Sequence, residues 1–130
     1  MTSKDTMEKI MRKSRSTNLV LLAEIEELAK KSRENGAPIW RDLTKRLSKS
    51  SSRRAVVNVS KINRYTEKRD VVAVPGKVLG AGRIGHAVTV AAFSFSKEAR
   101  EKIASAGGRC ITLTELASEN PKGTNVKILG

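Results

Sequence analysis

The spacing of apolar positions changes character near residue 47. Before it, Leu19, Leu22, Ile25 and Leu28 recur at helical intervals. They predict a helix over residues 17–34, with Thr17 or Asn18 as its N-cap. Glu24, Glu26 and Glu27 precede Lys30, Lys31 and Arg33, an order that suits the helix dipole. Asn35-Gly36 is a stop signal, and Pro38 suits the first turn of a second helix reaching about Leu47. Ile39, Trp40, Leu43 and Leu47 share one face of that helix, and Arg41, Lys45, Arg46 and Lys49 crowd the rest.

After residue 47 the periods shorten. Residues 48–54 form a polar basic loop, 55–59 a short β-rich run and 61–65 a helical turn. Residues 71–74 are a second apolar run that Pro75-Gly76 should stop. Four glycines between positions 76 and 85 predict a loop over 75–87. A strand follows at 88–95, then a helix capped by Ser96 and ended by Gly107-Gly108. Residues 109–113 read as a strand, Thr114 as the cap of a short helix closed by Pro121 and Gly123, and 125–129 as a last strand. N-terminal helices followed by strand–helix alternation predict an α/β fold with at least some parallel pairing. The length suits one domain over residues 17–130, preceded by a basic N-terminal arm at 1–16 that orders on a partner.

Composition narrows the function. Hydrophobic residues are 38% of the chain, so the core must be small. The aromatics are Trp40, Tyr65, Phe93 and Phe95, too few for a protein that grips single strands by base stacking. The net charge of +13 calls for a polyanionic partner, since such an excess repels itself in the compact state. No apolar run of about 18 residues, signal-peptide pattern or membrane-type amphipathic helix is present. The expected partner is therefore RNA, with no membrane, DNA or small-molecule substrate, and the expected location is the cytoplasm. One cysteine and one histidine make neither an internal disulfide nor a zinc site.

The charge is uneven. Residues 41–70 hold ten basic and three acidic side chains, whereas residues 96–120 hold four of each and residues 17–37 carry −1. The helices at 17–34 and 96–106 thus read as solvated scaffold. The working surface is a basic flank of Arg41, Lys45, Arg46, Lys49, Arg53, Arg54, Lys61, Arg64, Lys68 and Arg69. Arginine suits phosphate because its fork donates two parallel hydrogen bonds. Arg12, Lys13 and Arg15 of the arm join this RNA-binding set.

Gly80-Ala81-Gly82-Arg83-Ile84-Gly85 matches the dinucleotide fingerprint G-x-G-x-x-G. That motif works only where it opens a helix whose N-terminus faces a pyrophosphate. Here a strand pattern follows, so a nucleotide-binding enzyme is set aside. The alternative is a loop in which Gly80 and Gly82 let bare backbone approach phosphate, with Lys77 and Arg83 adding charge and His86 serving as an RNA neighbour or structural donor. Cys110 and Trp40 read as core, and Tyr65 stays open as an RNA contact. No two carboxylates share a pocket-like setting, and no catalytic, metal or cofactor residue is assigned.

Several stretches carry a family likeness. Residues 43–47 (Leu-Thr-Lys-Arg-Leu), 57–64 (Val-Asn-Val-Ser-Lys-Ile-Asn-Arg), 72–80 (Val-Ala-Val-Pro-Gly-Lys-Val-Leu-Gly) and 88–95 (Val-Thr-Val-Ala-Ala-Phe-Ser-Phe), followed by Ala99-Arg100, closely resemble the L-eighteen-e family of archaeal and eukaryotic large-subunit ribosomal proteins, relatives of bacterial L-fifteen. The likeness runs from about Asn18 to Leu129 and is most specific over 72–82. It implies a compact α/β domain with irregular β-β-α-like repeats and a structural, non-enzymatic role without cofactor. It also implies binding to large-subunit (23S-type) ribosomal RNA beside neighbouring ribosomal proteins. Lys45, Arg46, Lys61, Arg64, Lys77 and Arg83 are the basic positions that fall in matching stretches. The lack of a long basic C-terminal tail leads to the expectation of an archaeal member. A free-standing RNA-binding or RNA-chaperone module is the alternative.

Overall fold

β2, at Val71–Leu79, is the strand to which every other part of the sheet is referred. In the computed structural model, which describes residues 19–49 and 53–130, it pairs in parallel with three strands. On one side lies β3 (Thr89–Phe95), which in turn pairs in parallel with β4 (Arg109–Ile111). On the other side two short strands lie end to end. β5 (Val126–Ile128) pairs with residues 71–73, and β1 (Ala55–Asn58) with residues 76–79.

This arrangement explains why the chain does not stop at Pro75-Gly76, as the sequence suggested. Proline has no N–H to give a ladder. Residue 75 falls between the last β5 partner, Ala73, and the first β1 partner, Gly76, where none is demanded. The pairing with β3 also shifts register between Val74 and Lys77. Gly76 is needed for closeness: a Cβ there would lie 2.0 Å from the Ala55 carbonyl oxygen. The loop expected over 75–87 therefore begins only at Gly80, and Lys77 stands exposed on a strand.

Alternation along the strands splits the apolar residues between two faces. Ala73, Ala91 and Ile111 meet Leu28 of α1 (Leu19–Asn35), Trp40, Leu43 and Leu47 of α2 (Pro38–Leu47), and Leu113 and Leu116 of α5 (Leu113–Glu119). Val72, Val74, Val78, Val90 and Ala92 meet Val59 and Ile62 of α3 (Val59–Tyr65), and Ala99 and Ile103 of α4 (Lys97–Ser105). The described residues thus form one α/β unit of three layers, with the sheet between two helical layers.

The helix ends show which local signals operate. Gly36 turns to φ 67° and its N–H reaches the Ser32 carbonyl (3.0 Å), ending α1, while Pro38 opens α2. Ser96 caps α4 by accepting from the Ala99 N–H at 3.1 Å. The N-cap of α5 is Thr112 and not Thr114, because only at 112 does the third residue inward, Glu115, complete a reciprocal capping box. β4 accordingly ends at Ile111, and Leu113 is helical. Thr114 instead gives its N–H to Glu24 Oε1 (3.0 Å), tying α5 to α1. Val59, expected to end a strand, begins α3.

Leu19 is 52% exposed, and Leu21, Leu22 and Leu28 are the buried residues of α1. A strict three-residue spacing drifts, so that Leu19 lies roughly 180° around the helix from Leu28. The proposed caps Thr17 and Asn18 and the arm at 1–16 lie outside the described residues. Trp40 is fully buried, and its Nε1–H donates to the Pro121 carbonyl at 2.6 Å.

Gly76→Ala should destabilise the protein by about 3 kcal/mol or more in urea unfolding, because β1 and β2 must separate to admit the methyl group. Gly85→Ala is the matched control. Its Cβ would meet nothing nearer than Asn63 Oδ1 at 4.0 Å, so stability should hold within roughly 0.5 kcal/mol.

Candidate nucleic-acid interface

β2 and β3 are parallel neighbours joined by residues 80–88 alone. These nine residues must return from the end of one strand to the start of the next. As helix they would span only about 14 Å. A seven-residue strand such as β3 is roughly 23 Å long. Extended chain reaches about 30 Å and can make the return. No Rossmann helix can therefore follow the G-x-G-x-x-G sequence, and the structure has a thin extended crossover there.

The crossover lies along α3 at helical spacing. The Ser60 N–H donates to the Ala81 carbonyl (3.2 Å), and Asn63 Oδ1 accepts from the Gly85 N–H (3.0 Å). Further along, His86 Nε2 lies 2.8 Å from Thr66 Oγ1. The Thr66 hydroxyl gives its one proton to the Ile62 carbonyl (2.6 Å), so His86 Nε2 must be the donor between them. His86 is thus a structural donor, and its Nε2 is occupied inside the protein.

On the other flank stands Lys102 of α4. Its ammonium donates to the carbonyls of Gly80 (2.6 Å) and Gly82 (2.7 Å) and meets Glu98 Oε1 at 3.0 Å. Three donors meet three acceptors. The glycines serve this close fit first. A Cβ at Gly80 would lie 2.6 Å from Glu98 Cγ; at Gly82, where φ is +92°, it would lie 2.3 Å from Ser60 Cβ. The carbonyls of 80 and 82 are taken by Lys102 and that of 81 by Ser60, whereas the N–H groups of Ala81, Gly82, Arg83 and Ile84 have no acceptor among the described residues. Arg83 is exposed beside them.

The basic stretch 41–70 is not one flat flank. α2, with Arg41, Lys45 and Arg46, belongs to one helical layer, and α3, with Lys61 and Arg64, to the other. Lys49, Arg53 and β1 join them at the sheet edge. The cations therefore wrap around the β1 edge. Arg41, Lys45, Lys49, Arg53, Lys61, Arg64, Lys68, Arg69, Lys77 and Arg83 form no side-chain hydrogen bond or ion pair with another described residue. Two candidates are engaged internally. Arg46 meets Asp42 (3.2 Å) and the Gly130 carbonyl (3.4 Å), and Arg54 donates to the Lys49 carbonyl (2.8 Å). Arg12, Lys13 and Arg15 lie outside the described residues.

Nearby, Arg69 holds φ 72°, and its N–H reaches the Ala87 carbonyl (2.7 Å). Asp70 accepts from Lys127 Nζ and from the Glu67 N–H, both at 2.8 Å. These bonds, the lysine first, hold its carboxyl below the usual range. Cys110 is only half-buried, and desolvation raises its thiol pKa, which opposes a nucleophilic role. Among the described residues no group of His, Cys, Asp and Glu could hold a metal, and no helix is long and apolar enough to cross a membrane.

The role of Lys102 was invisible in composition, which made α4 neutral scaffold. Replacing Lys102 with Met keeps the stem but strips the crossover of its brace. Stability should fall by roughly 1–3 kcal/mol in urea unfolding. Lys97→Met, on an exposed position of the same helix, should leave it unchanged within about 0.5 kcal/mol.

Comparison with known proteins gives this architecture its kin. Large ribosomal subunit protein eL18 of Methanococcus maripaludis is 50% identical over 119 residues, covering 92% of this chain and 99% of that protein. The eL18 proteins of Methanothermobacter thermautotrophicus and Archaeoglobus fulgidus are 48% and 49% identical, again over 92% of this chain and 99% of their own. The family described as ribosomal protein 60S L18 and 50S L18e, a structural and non-enzymatic one, matches residues 1–130. With that match over its full length, the chain belongs to the L18/L18e family of large-subunit ribosomal proteins.

Proposed function

We propose that this protein binds and stabilises folded large-subunit ribosomal RNA, and that it does so as a ribosome-bound structural constituent in the cytoplasm. The observation that carries the reading is the set of ten exposed or half-buried cations without a side-chain partner among the described residues, eight of them around the β1 edge and on the crossover and two, Lys68 and Arg69, just before the start of β2. A fold stabilised by its own ion pairs would have matched them with carboxylates. Left unmatched, they repel one another until a polyanion neutralises them. Two phosphate ridges can be met at once, one by α2 and one by α3, which suits a place where RNA helices come together. Affinity then comes mainly from phosphate contacts and counterion release, with recognition by RNA shape.

The crossover adds a second kind of contact. The N–H groups of 81–84, which have no acceptor among the described residues, and Arg83 beside them are the donors that would take a phosphate. Lys77 contributes from β2, next to Val56 in register on β1, and not from the loop. The basic arm at 1–16 extends the same grip, and neighbouring ribosomal proteins meet the remaining surface.

The test is the salt dependence of binding to large-subunit ribosomal RNA. Changing Arg53, Lys61 and Arg64 together to Ala should flatten the slope of log affinity against log salt by roughly 0.7–0.9 per lost phosphate contact. Folding should be nearly unaffected, because these exposed or half-buried charges make no ion pair or side-chain hydrogen bond with another described residue. Lys97→Ala should leave the slope unchanged. Equal slopes for the triple variant and the parent would contradict the reading.

A further inference from the structure

α1 and α2 are joined by a two-residue turn and leave a groove between them that the sheet does not cover. It is open, about 650 Å³ in volume, and runs from the turn at Gly36 to Ser48. Its length follows the ten residues of α2, about 15 Å. The floor is largely apolar, with Ala29 and Ala37 contributing. Two of the three hydroxyls that line it give their protons to the helix backbone. Thr44 Oγ1 donates to the Trp40 carbonyl and Ser48 Oγ to the Thr44 carbonyl, both at 2.7 Å. The rim is cationic. Arg33 arrives from α1, and Arg41 and Lys45 from α2. Among the described residues none of the three has an ion-pair partner and no carboxylate lines the groove.

An apolar floor with three cations above it, unpaired among the described residues, calls for a ligand that is flat and apolar in one part and anionic in another. A phosphodiester strand alone would meet the rim and leave the floor wet. An acidic peptide would also satisfy only the rim. An unpaired nucleotide satisfies both, with a base that can leave the stack and phosphates on either side of it. The groove is large enough for such a group. Trp40 is fully buried and no aromatic side chain is among the described residues that line the groove, but the guanidinium planes of Arg33 and Arg41 can stack on a base.

We infer that the α1–α2 groove seats one unpaired nucleotide of the bound RNA, its base against the apolar floor and its phosphates on Arg33, Arg41 and Lys45. The inference rests on the RNA-binding reading above and names a subsite of it. It brings Arg33, on a helix whose overall charge is negative, into the contact surface.

Two RNA hairpins of one sequence, identical except for a single bulged nucleotide in one stem, test it. The full chain is titrated with each at one fixed salt concentration. The parent protein should prefer the bulged hairpin by about tenfold, the scale of one stacked base. Ala29→Phe with Ser32→Leu fills the floor and keeps every charge. It should abolish the preference while leaving affinity for the unbulged hairpin and the melting temperature unchanged. Arg33→Ala with Arg41→Ala, both at exposed positions, should also reduce the preference and serves if the filled variant does not fold. Equal affinity of the parent for both hairpins, or a preference that survives filling, overturns the inference and leaves RNA binding standing. No binding to either hairpin overturns both. Binding of a polyglutamate peptide that groove filling removes, with hairpin binding untouched, also overturns it and gives the groove to an acidic protein segment.

Discussion

Nine residues have to bring the chain back from the end of β2 to the start of β3, and much of the molecule answers to that constraint. A helix is too short for the distance, so the return is made by extended chain. Extended chain has no internal hydrogen bonds and needs partners on both sides. α3 supplies Ser60, Asn63 and Thr66 at one-turn intervals, and α4 supplies Lys102. To reach them the backbone must come closer than a Cβ allows, which puts glycine at 80 and 82. The carbonyls of 80 and 82 turn to Lys102 on one flank and that of 81 to Ser60 on the other. The N–H groups of 81–84 are left without an acceptor among the described residues, and that side effect of a packing solution is what suits the segment to a phosphate.

The charge pattern has the same two-sided character. Core residues are divided between two modest clusters on either face of the sheet, and among the described residues no ion-pair network supplements them. Of the four ion pairs among the described residues, two are helix i,i+4 pairs, a kind that contributes little to stability. The cations around β1 are consequently free to act outside the molecule. Because α2 and α3 lie in opposite layers, these cations point to more than one side of the sheet edge, and an object in contact with all of them must wrap that edge.

Much of the architecture was legible in the residues. The stop at Asn35-Gly36, the start at Pro38 and the cap at Ser96 are local signals whose chemistry operates within one turn, and each holds in the structure. The strand after the glycines was readable from Val88-Thr89-Val90 and rightly removed the dinucleotide fingerprint. Signals that depend on distant partners were not readable. Pro75 breaks an isolated strand but is harmless where β5 ends and β1 begins, and that junction joins segments some seventy residues apart. Leu19 fitted a three-residue count but not the 3.6-residue turn. Thr112 outranks Thr114 because of Glu115. Within the candidate site, the excess of cations over 41–70 was plain, yet its division between two layers needed the topology. Lys102 and Arg33 were hidden because both sit on helices whose charges nearly cancel, and averaging over a helix conceals which side chain faces a loop or a groove.

The central claim is that the crossover's N–H groups at 81–84 and the cations around β1 meet RNA. Hydrogen–deuterium exchange, resolved to short peptides, on the free chain and on the same chain within purified large subunits tests it most directly. Amides 81–84 have no acceptor within the described residues and should exchange fast in the free protein. In the subunit they should become strongly protected, as should 53–54, while the exposed first turn of α4 around Lys97 should change little. Amides 81–84 that stay fast in the subunit, with new protection confined to α4, would contradict the account.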